Sequence, residues 1–85
     1  MSLKMKFGAE VYHARNQHGL TQKQLAEAVQ KSTRSIQYIE KGNMLPKPET
    51  MLRLMIVLQI EPSHFAEEVG IHVSVYSRTK EAVHI

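Results

Sequence analysis

Two stretches of this chain, LTQKQLA at residues 20–26 and STRSIQYIEKG at residues 32–42, decide its fold. Each contains a residue that often caps the start of a helix, Thr21 in the first stretch and Ser32 in the second. Gly42 suits the position just beyond the end of the second helix. The sequence therefore predicts two short helices joined by a tight turn. Because helices this short bury little surface against each other, a further element must brace them.

The first of these helices has further start signals, and another helix is predicted before it. Gln24 follows Thr21 by three residues and completes a capping box. Leu20 before the cap and Leu25 after it match the hydrophobic staple. The preceding helix is expected to end at Gly19. Its apolar positions, which recur at helical spacing, are Phe7, Val11 and Ala14.

Two more helices and a strand are predicted in the second half of the chain. Pro48 suits the first turn of a fourth helix, whose inward stripe consists of Met51, Leu54, Met55 and Leu58. Pro62 suits the same position in a fifth helix, on which Phe65 and Val69 share a face. Beyond Gly70 the apolar residues alternate, as in a short strand; they are Ile71, Val73 and Val75.

These elements predict an all-α fold: a compact five-helix bundle that contains a helix-turn-helix, followed by a short C-terminal β-strand or an extended tail. The 85 residues suffice for one such domain and one modest core. We expect residues 5–69 to form the helix-turn-helix domain. Residues 70–85 are then a C-terminal extension and a candidate dimerisation strand.

The composition favours a polyanion partner and argues against an enzyme or a membrane protein. Residues 1–61 hold nine Lys and Arg against five Glu, whereas residues 62–85 hold two against three. The basic excess therefore lies with the helices. The chain has no Cys and no Asp, and its five His are scattered without a catalytic motif. We predict no catalysis, no cofactor and no metal site. No apolar run approaches the roughly 20 residues of a membrane span, so we predict no membrane partner and a cytoplasmic location.

Several spaced blocks of sequence resemble the Cro/CI-type (XRE-like) helix-turn-helix family of repressors. The blocks are GLTQ with QLA at residues 19–26, IQYIEKG at residues 36–42, and ETML at residues 49–52. They occur in order and with the expected loop lengths between them. The resemblance covers roughly residues 7–65, and it implies a bundle of about five helices that binds double-stranded operator DNA, usually as a homodimer.

The resemblance also implies which residues contact DNA. Arg34 matches a base-facing position and can bond O6 and N7 of a guanine, while Gln37 can pair with N6 and N7 of an adenine. Gln22 begins a helix, where free N–H groups favour a phosphate. For the lysines and the asparagine, an ordinary solvated surface is an equally open interpretation. The full predicted set is Gln22, Lys23, Ser32, Thr33, Arg34, Gln37, Tyr38, Lys41, Asn43 and Lys47.

Two further features concern how the third predicted helix, which begins after Ser32, is held against the rest of the domain. The family often places an arginine late in its first helix against a glutamate late in its third, and Arg15 and Glu40 occupy those places. We expect them to form a partly buried ion pair that braces the helix. Gln30 stands where the family commonly has a glycine, and a left-handed glutamine costs on the order of 1 kcal/mol. The turn is therefore expected to differ slightly or to carry mild strain.

An apolar strip and the predicted strand suggest how the chain assembles. Leu52 and Ile56 lie four residues apart, outside the core stripe of the fourth helix. With Ile71, Val73 and Val75 they form a predicted homodimer interface, because exposed apolar strips and unpaired strands are poorly tolerated on a monomer. The alternative is intramolecular, with the tail covering the fourth helix of its own chain. A second function also stays open: a DNA-binding antitoxin whose C-terminal region binds a toxin protein.

Overall fold

The computed structural model of the protein describes residues 1–71, and the predicted Val73 and Val75 of the strand lie outside them. Within the described residues the chain is all-helical, as predicted. Its elements are α1 (Leu3–Gln17), α2 (Gln22–Ala28), α3 (Thr33–Glu40), α4 (Pro48–Leu58) and a 3₁₀ turn (Pro62–Phe65).

The predicted caps of α2 and α3 are confirmed. Thr21 Oγ1 accepts from the backbone N–H of Gln24 at 3.0 Å, and the Gln24 side chain accepts from the Thr21 N–H at 2.8 Å. Ser32 Oγ accepts from the N–H of Ser35 at 3.1 Å. The start of α1 lacked a clear sequence signal. It lies at Leu3, where the Ser2 side chain accepts from a backbone N–H one turn on.

The turn between α2 and α3 keeps the left-handed conformation for which a glycine is suited. Gln30 has φ of 60°, so a non-glycine residue takes the left-handed conformation at this turn. The strain predicted for this position is therefore located at Gln30, at a cost of about 1–2 kcal/mol. Gln59, at the end of α4, has the same conformation with φ of 57°.

The core joins all five elements and contains most of the predicted apolar positions. Ala14, Met51 and Met55 pack at its edge. Ile60, which follows α4, was not predicted and is also buried. The buried apolar residues are Phe7, Val11, Leu25, Ala26, Val29, Ile36, Ile39, Leu54, Leu58, Ile60 and Phe65.

A close backbone approach sets how α1 lies against α3. A Cβ built on Gly8 would overlap the carbonyl oxygen of Ile39, and would lie 3.2 Å from both the Glu40 oxygen and the Gly42 nitrogen. Only a residue without a side chain lets α1 pass this near to the C-terminal end of α3. Gly8 therefore allows a close backbone contact between α1 and the C-terminal end of α3.

The predicted fifth helix is wrong in type and in length. Pro62 does begin the element, but the chain forms only a four-residue 3₁₀ turn there, followed by further turns up to Gly70. Phe65 is buried and its ring lies 5.5 Å from the ring of Phe7, whereas Val69 is 53% exposed. The two residues do not share a buried face. A single turn is enough to place Phe65 in the core. Among the described residues, nothing packs over a second helical turn after it.

No helix in residues 1–71 combines the length and the apolar character that crossing a bilayer requires.

Candidate nucleic-acid interface

Helix α3 presents one buried and one exposed face. Ile36 and Ile39 are 0% and 1% exposed and fix the helix to the core. The predicted base-facing residues lie on the other side, where Thr33 is half-buried and Arg34, Gln37 and Tyr38 are exposed. The exposed face carries hydrogen-bonding groups of the kind that read base edges in a major groove.

Arg34 and Tyr38 contact each other one helical turn apart. Arg34 Nε donates to the Tyr38 hydroxyl at 2.9 Å. The guanidinium carbon lies 5.4 Å from the centre of the tyrosine ring, within the range of a cation–π contact. The two side chains therefore form one unit on the exposed face.

Gln22, the first residue of α2, joins that helix to α3. Its amide nitrogen donates to Glu40 Oε1 at 3.1 Å, and its amide oxygen accepts from Gln37 Nε2 at 3.4 Å. The sequence had suggested only a phosphate contact for Gln22. The structure gives its side chain a second role, because it connects an exposed residue of α3 to the buried carboxylate behind it.

Arg15 and Glu40 form a two-pronged ion pair between α1 and α3. Arg15 Nε donates to Glu40 Oε2 at 2.6 Å, and Nη2 donates to Oε1 at 3.1 Å. The third guanidinium nitrogen donates to the Leu20 carbonyl oxygen at 2.8 Å. The side chains are only 10% and 4% exposed. The hydrogen bond with Glu40 raises the pKa of Arg15 above its ordinary value, against the opposing effect of burial, so the guanidinium is charged.

The cationic residues of the predicted interface have no carboxylate partner among residues 1–71. Every ion pair found there involves other residues. Lys41 caps the end of α3, Asn43 is in the following loop, and Lys47 precedes α4 without a side-chain hydrogen bond to cap it. All are exposed, as is Lys23 in the first turn of α2. The charges of Lys23, Lys41 and Lys47 are therefore available to a polyanion.

Ser32 and Gln22 use their side chains within the protein, as Arg34, Gln37 and Tyr38 do. The Ser32 hydroxyl accepts from the Ser35 N–H and also lies 3.0 Å from the Ser35 hydroxyl. Gln22 is engaged as described above. Ser32 and Gln22 still stand at the first turn of a helix, and Ser32 is exposed.

The predicted assembly residues within the described part lie outside this interface. Leu52 and Ile56 are 60% and 75% exposed on α4, and Ile71 is 50% exposed. The structure therefore leaves an apolar strip of α4 exposed, as the sequence indicated.

Sequence reasoning missed three contacts that shape the site: the approach at Gly8, the bond from Gln22 to Glu40, and the pairing of Arg34 with Tyr38. The first two join residues that are 18 or more positions apart, and no local pattern announces them. The third had a usable signal, since residues four apart on a helix are neighbours.

Comparison with known proteins agrees with this architecture. A family profile described as helix-turn-helix matches residues 11–65. The crystal structure of the clp gene regulator ClgR from Corynebacterium glutamicum is similar in fold, with a TM-score of 0.71 and 20% sequence identity, over 99% of this chain and 89% of that one. A search of curated proteins finds no match.

Proposed function

The chain belongs to the XRE family of helix-turn-helix DNA-binding transcriptional regulators, and we propose that it is a repressor that reads its operator by inserting α3 into the major groove. The observation that carries this proposal is the exposed face of α3, on which Arg34 and Gln37 stand opposite the buried Ile36 and Ile39. These two side chains can bond both major-groove acceptors of a guanine and the paired groups of an adenine.

The flanking lysines and Asn43 support the same placement. Lys41, Asn43 and Lys47 follow the C-terminal end of α3, and Lys23 lies in the first turn of α2. With α3 in the groove, these residues would lie at the edges of the interface, where the phosphates run. Phosphate contacts of this kind supply affinity without sequence information, whereas contacts to bases supply specificity.

Replacing one residue of each kind tests the proposal. Arg34→Ala should weaken operator binding by about 1–3 kcal/mol and relax the preference at one base pair. Lys47→Ala should weaken binding to all DNA sequences alike. It should also reduce the slope of log affinity against log salt concentration by about one. Both are measured by titrating labelled duplexes, after selecting the operator from a random pool.

The matched control is Lys6→Ala, because Lys6 lies on α1 in an ion pair with Glu10. It should leave affinity and preference unchanged. The reading face is wrongly assigned if Arg34→Ala behaves like this control.

We also propose that the protein binds as a two-fold dimer through α4 and the C-terminal residues. Leu52 and Ile56 are one turn apart and largely exposed, and an apolar strip of this kind is typical of an interaction surface. A dimer would present two copies of α3 about one turn of DNA apart, roughly 34 Å, and would require a nearly palindromic operator.

Sedimentation at micromolar concentration tests the dimer. Wild type should sediment as a dimer, and Ile56→Glu should give a folded monomer with weakened operator binding. Gln17→Glu, an exposed change at the end of α1, should still dimerise. A monomeric wild type overturns the proposal. If a chain cut after Gly70 dimerises as well as wild type, the C-terminal residues are not part of the interface.

The antitoxin function would use the C-terminal residues for a toxin, and these lie mostly outside the described part of the chain. The features of α3 that support DNA reading are common to both functions. A regulator that acts without a toxin partner requires fewer assumptions, and it is the function we propose.

A further inference from the structure

One pair on the exposed face of α3 bears on which base the protein reads and how. Arg34 and Tyr38 are four residues apart, so their side chains extend from neighbouring points on the same helix face. The hydrogen bond from Arg34 Nε to the tyrosine hydroxyl is 2.9 Å long, and the guanidinium also lies against the ring. Among residues 1–71 no carboxylate competes for this guanidinium.

The hydrogen bond to Tyr38 occupies one N–H donor of Arg34 and so limits how the guanidinium can contact a guanine. A guanidinium has five N–H donors, one on Nε and two on each terminal nitrogen. It can meet the O6 and N7 atoms of a guanine side-on, through Nε and one terminal nitrogen, or end-on, through both terminal nitrogens. The bond to Tyr38 uses the Nε donor. The side-on approach is therefore closed, and the four N–H groups of the terminal nitrogens remain, two of which point end-on.

The same bond reduces the freedom of a long side chain. An unrestrained arginine loses much rotamer entropy when DNA fixes it, and a side chain already held loses less. The contact with the ring adds a second restraint, because a cation over an aromatic face is attracted to it. Tyr38 is 38% exposed, so part of its surface already packs against its surroundings.

We propose that Tyr38 is a positioning residue, which holds Arg34 in an end-on orientation for a guanine in the operator. This inference rests on the proposed function, and it adds both a base and a geometry. Tyr38 then contributes to specificity through Arg34 and does not itself need to contact a base. The sequence had placed Tyr38 only among the predicted DNA contacts.

The test uses the full chain and the Tyr38→Phe variant, which keeps the ring and deletes only the hydroxyl. The base pair read by Arg34 is first identified as the one at which Arg34→Ala loses its preference. Dissociation constants are then measured for duplexes that carry guanine, adenine or 7-deazaguanine at that position. 7-Deazaguanine lacks the N7 acceptor and so reports directly on the two-pronged contact.

Tyr38→Phe should lower the preference for guanine at this one position by about three- to tenfold, the usual value of one hydrogen bond. The penalty for 7-deazaguanine should shrink in the variant, while preferences at other positions and the melting temperature stay unchanged. Lys47→Ala is the comparison, since it should weaken every duplex equally and leave the 7-deazaguanine penalty intact.

Three results would overturn the inference. In one, Tyr38→Phe discriminates guanine as well as wild type does. In another, it binds the guanine duplex more tightly, which means that DNA must break the contact with Tyr38. In the third, Arg34 proves to read a base other than guanine. All three presuppose that wild type prefers particular sequences; a wild type without any such preference refutes the proposed function, and this inference with it.

Discussion

Removing the charge of Glu40 should destabilise the protein more than any exposed charge change. In Glu40→Gln the side chain keeps its size and one acceptor oxygen, so the change removes charge and little packing. Arg15 remains cationic in the variant, because the ordinary pKa of an arginine is already far above neutral. The variant therefore leaves a guanidinium that is 10% exposed without its counter-charge.

The size of the effect follows from this burial. Breaking one side of a buried ion pair costs about 3–5 kcal/mol. The remaining amide oxygen and the bond from Arg15 to the Leu20 carbonyl at 2.8 Å place Glu40→Gln near the lower end, at about 3 kcal/mol. For a domain of this size each kcal/mol shifts the melting temperature by roughly 4–8 °C. The expected loss is therefore about 12–24 °C.

The pH dependence of this contribution also has a definite sign. Because the pKa of Arg15 is raised in the folded state, its contribution to stability is complete at every pH below the ordinary arginine pKa. That contribution falls only as the pH rises above this pKa. The contribution of Arg15 should therefore be constant across the neutral range. Thermal melts at several neutral pH values should show the same difference between wild type and Glu40→Gln.

The assay is thermal and urea unfolding of wild type, Glu40→Gln, Arg15→Met and the double variant. The coupling energy between the two sites should be about 2 kcal/mol or more, since the double variant buries no unpaired charge. Glu49→Gln is the control: it breaks a pair of 2.7 Å whose side chains are 41% and 77% exposed, and it should cost below about 1 kcal/mol. Additive effects of the Arg15 and Glu40 changes would refute the reasoning.

Two backbone predictions need only unfolding measurements. Gly8→Ala should lower the free energy of unfolding by about 2 kcal/mol or more, because the new Cβ would overlap the Ile39 carbonyl oxygen and force α1 away from α3. Gly19→Ala is the comparison: its Cβ would have no atom within 4 Å, but φ is 69°, so it should cost only about 1–2 kcal/mol. The packing argument fails if the two cost the same. Gln30→Gly should stabilise by about 0.5–1 kcal/mol, because it relieves a left-handed residue at some entropic cost; a loss of stability would show that Gln30 is not strained.

The sequence predicted best those features whose physics is local. The caps at Thr21 and Ser32 depend on a side chain and an N–H three residues away, and both were found where expected. Pro48 begins α4 for an equally local reason, its fixed φ. The prediction after Pro62 was wrong because the same signal begins a 3₁₀ turn as readily as a longer helix, and only packing decides how far the element continues.

For the candidate site, the sequence predicted which residues of α3 are exposed better than it predicted their contacts with one another. The family resemblance placed Arg34 and Gln37 on the expected base-facing side of α3, and the structure buries Ile36 and Ile39 on the opposite side. The proximity of Arg15 to Glu40 came from the family resemblance and not from any local pattern. Gly8 illustrates the limit, since a glycine inside a helix shows its purpose only when the neighbouring backbone is placed.

The contacts behind α3 connect the stability of the domain to the proposed reading of DNA. Glu40 is held by Arg15 from α1 and in turn accepts from Gln22 Nε2 at 3.1 Å, while Gln22 accepts from Gln37 on the exposed face. An amide nitrogen has two N–H donors, so Gln22 can keep its bond to Glu40 and direct the other donor at a phosphate. The buried carboxylate therefore orients a predicted phosphate contact as well as bracing α3. It follows that Glu40→Gln should weaken the binding of all duplexes, including non-operator ones, even at temperatures where the variant is fully folded.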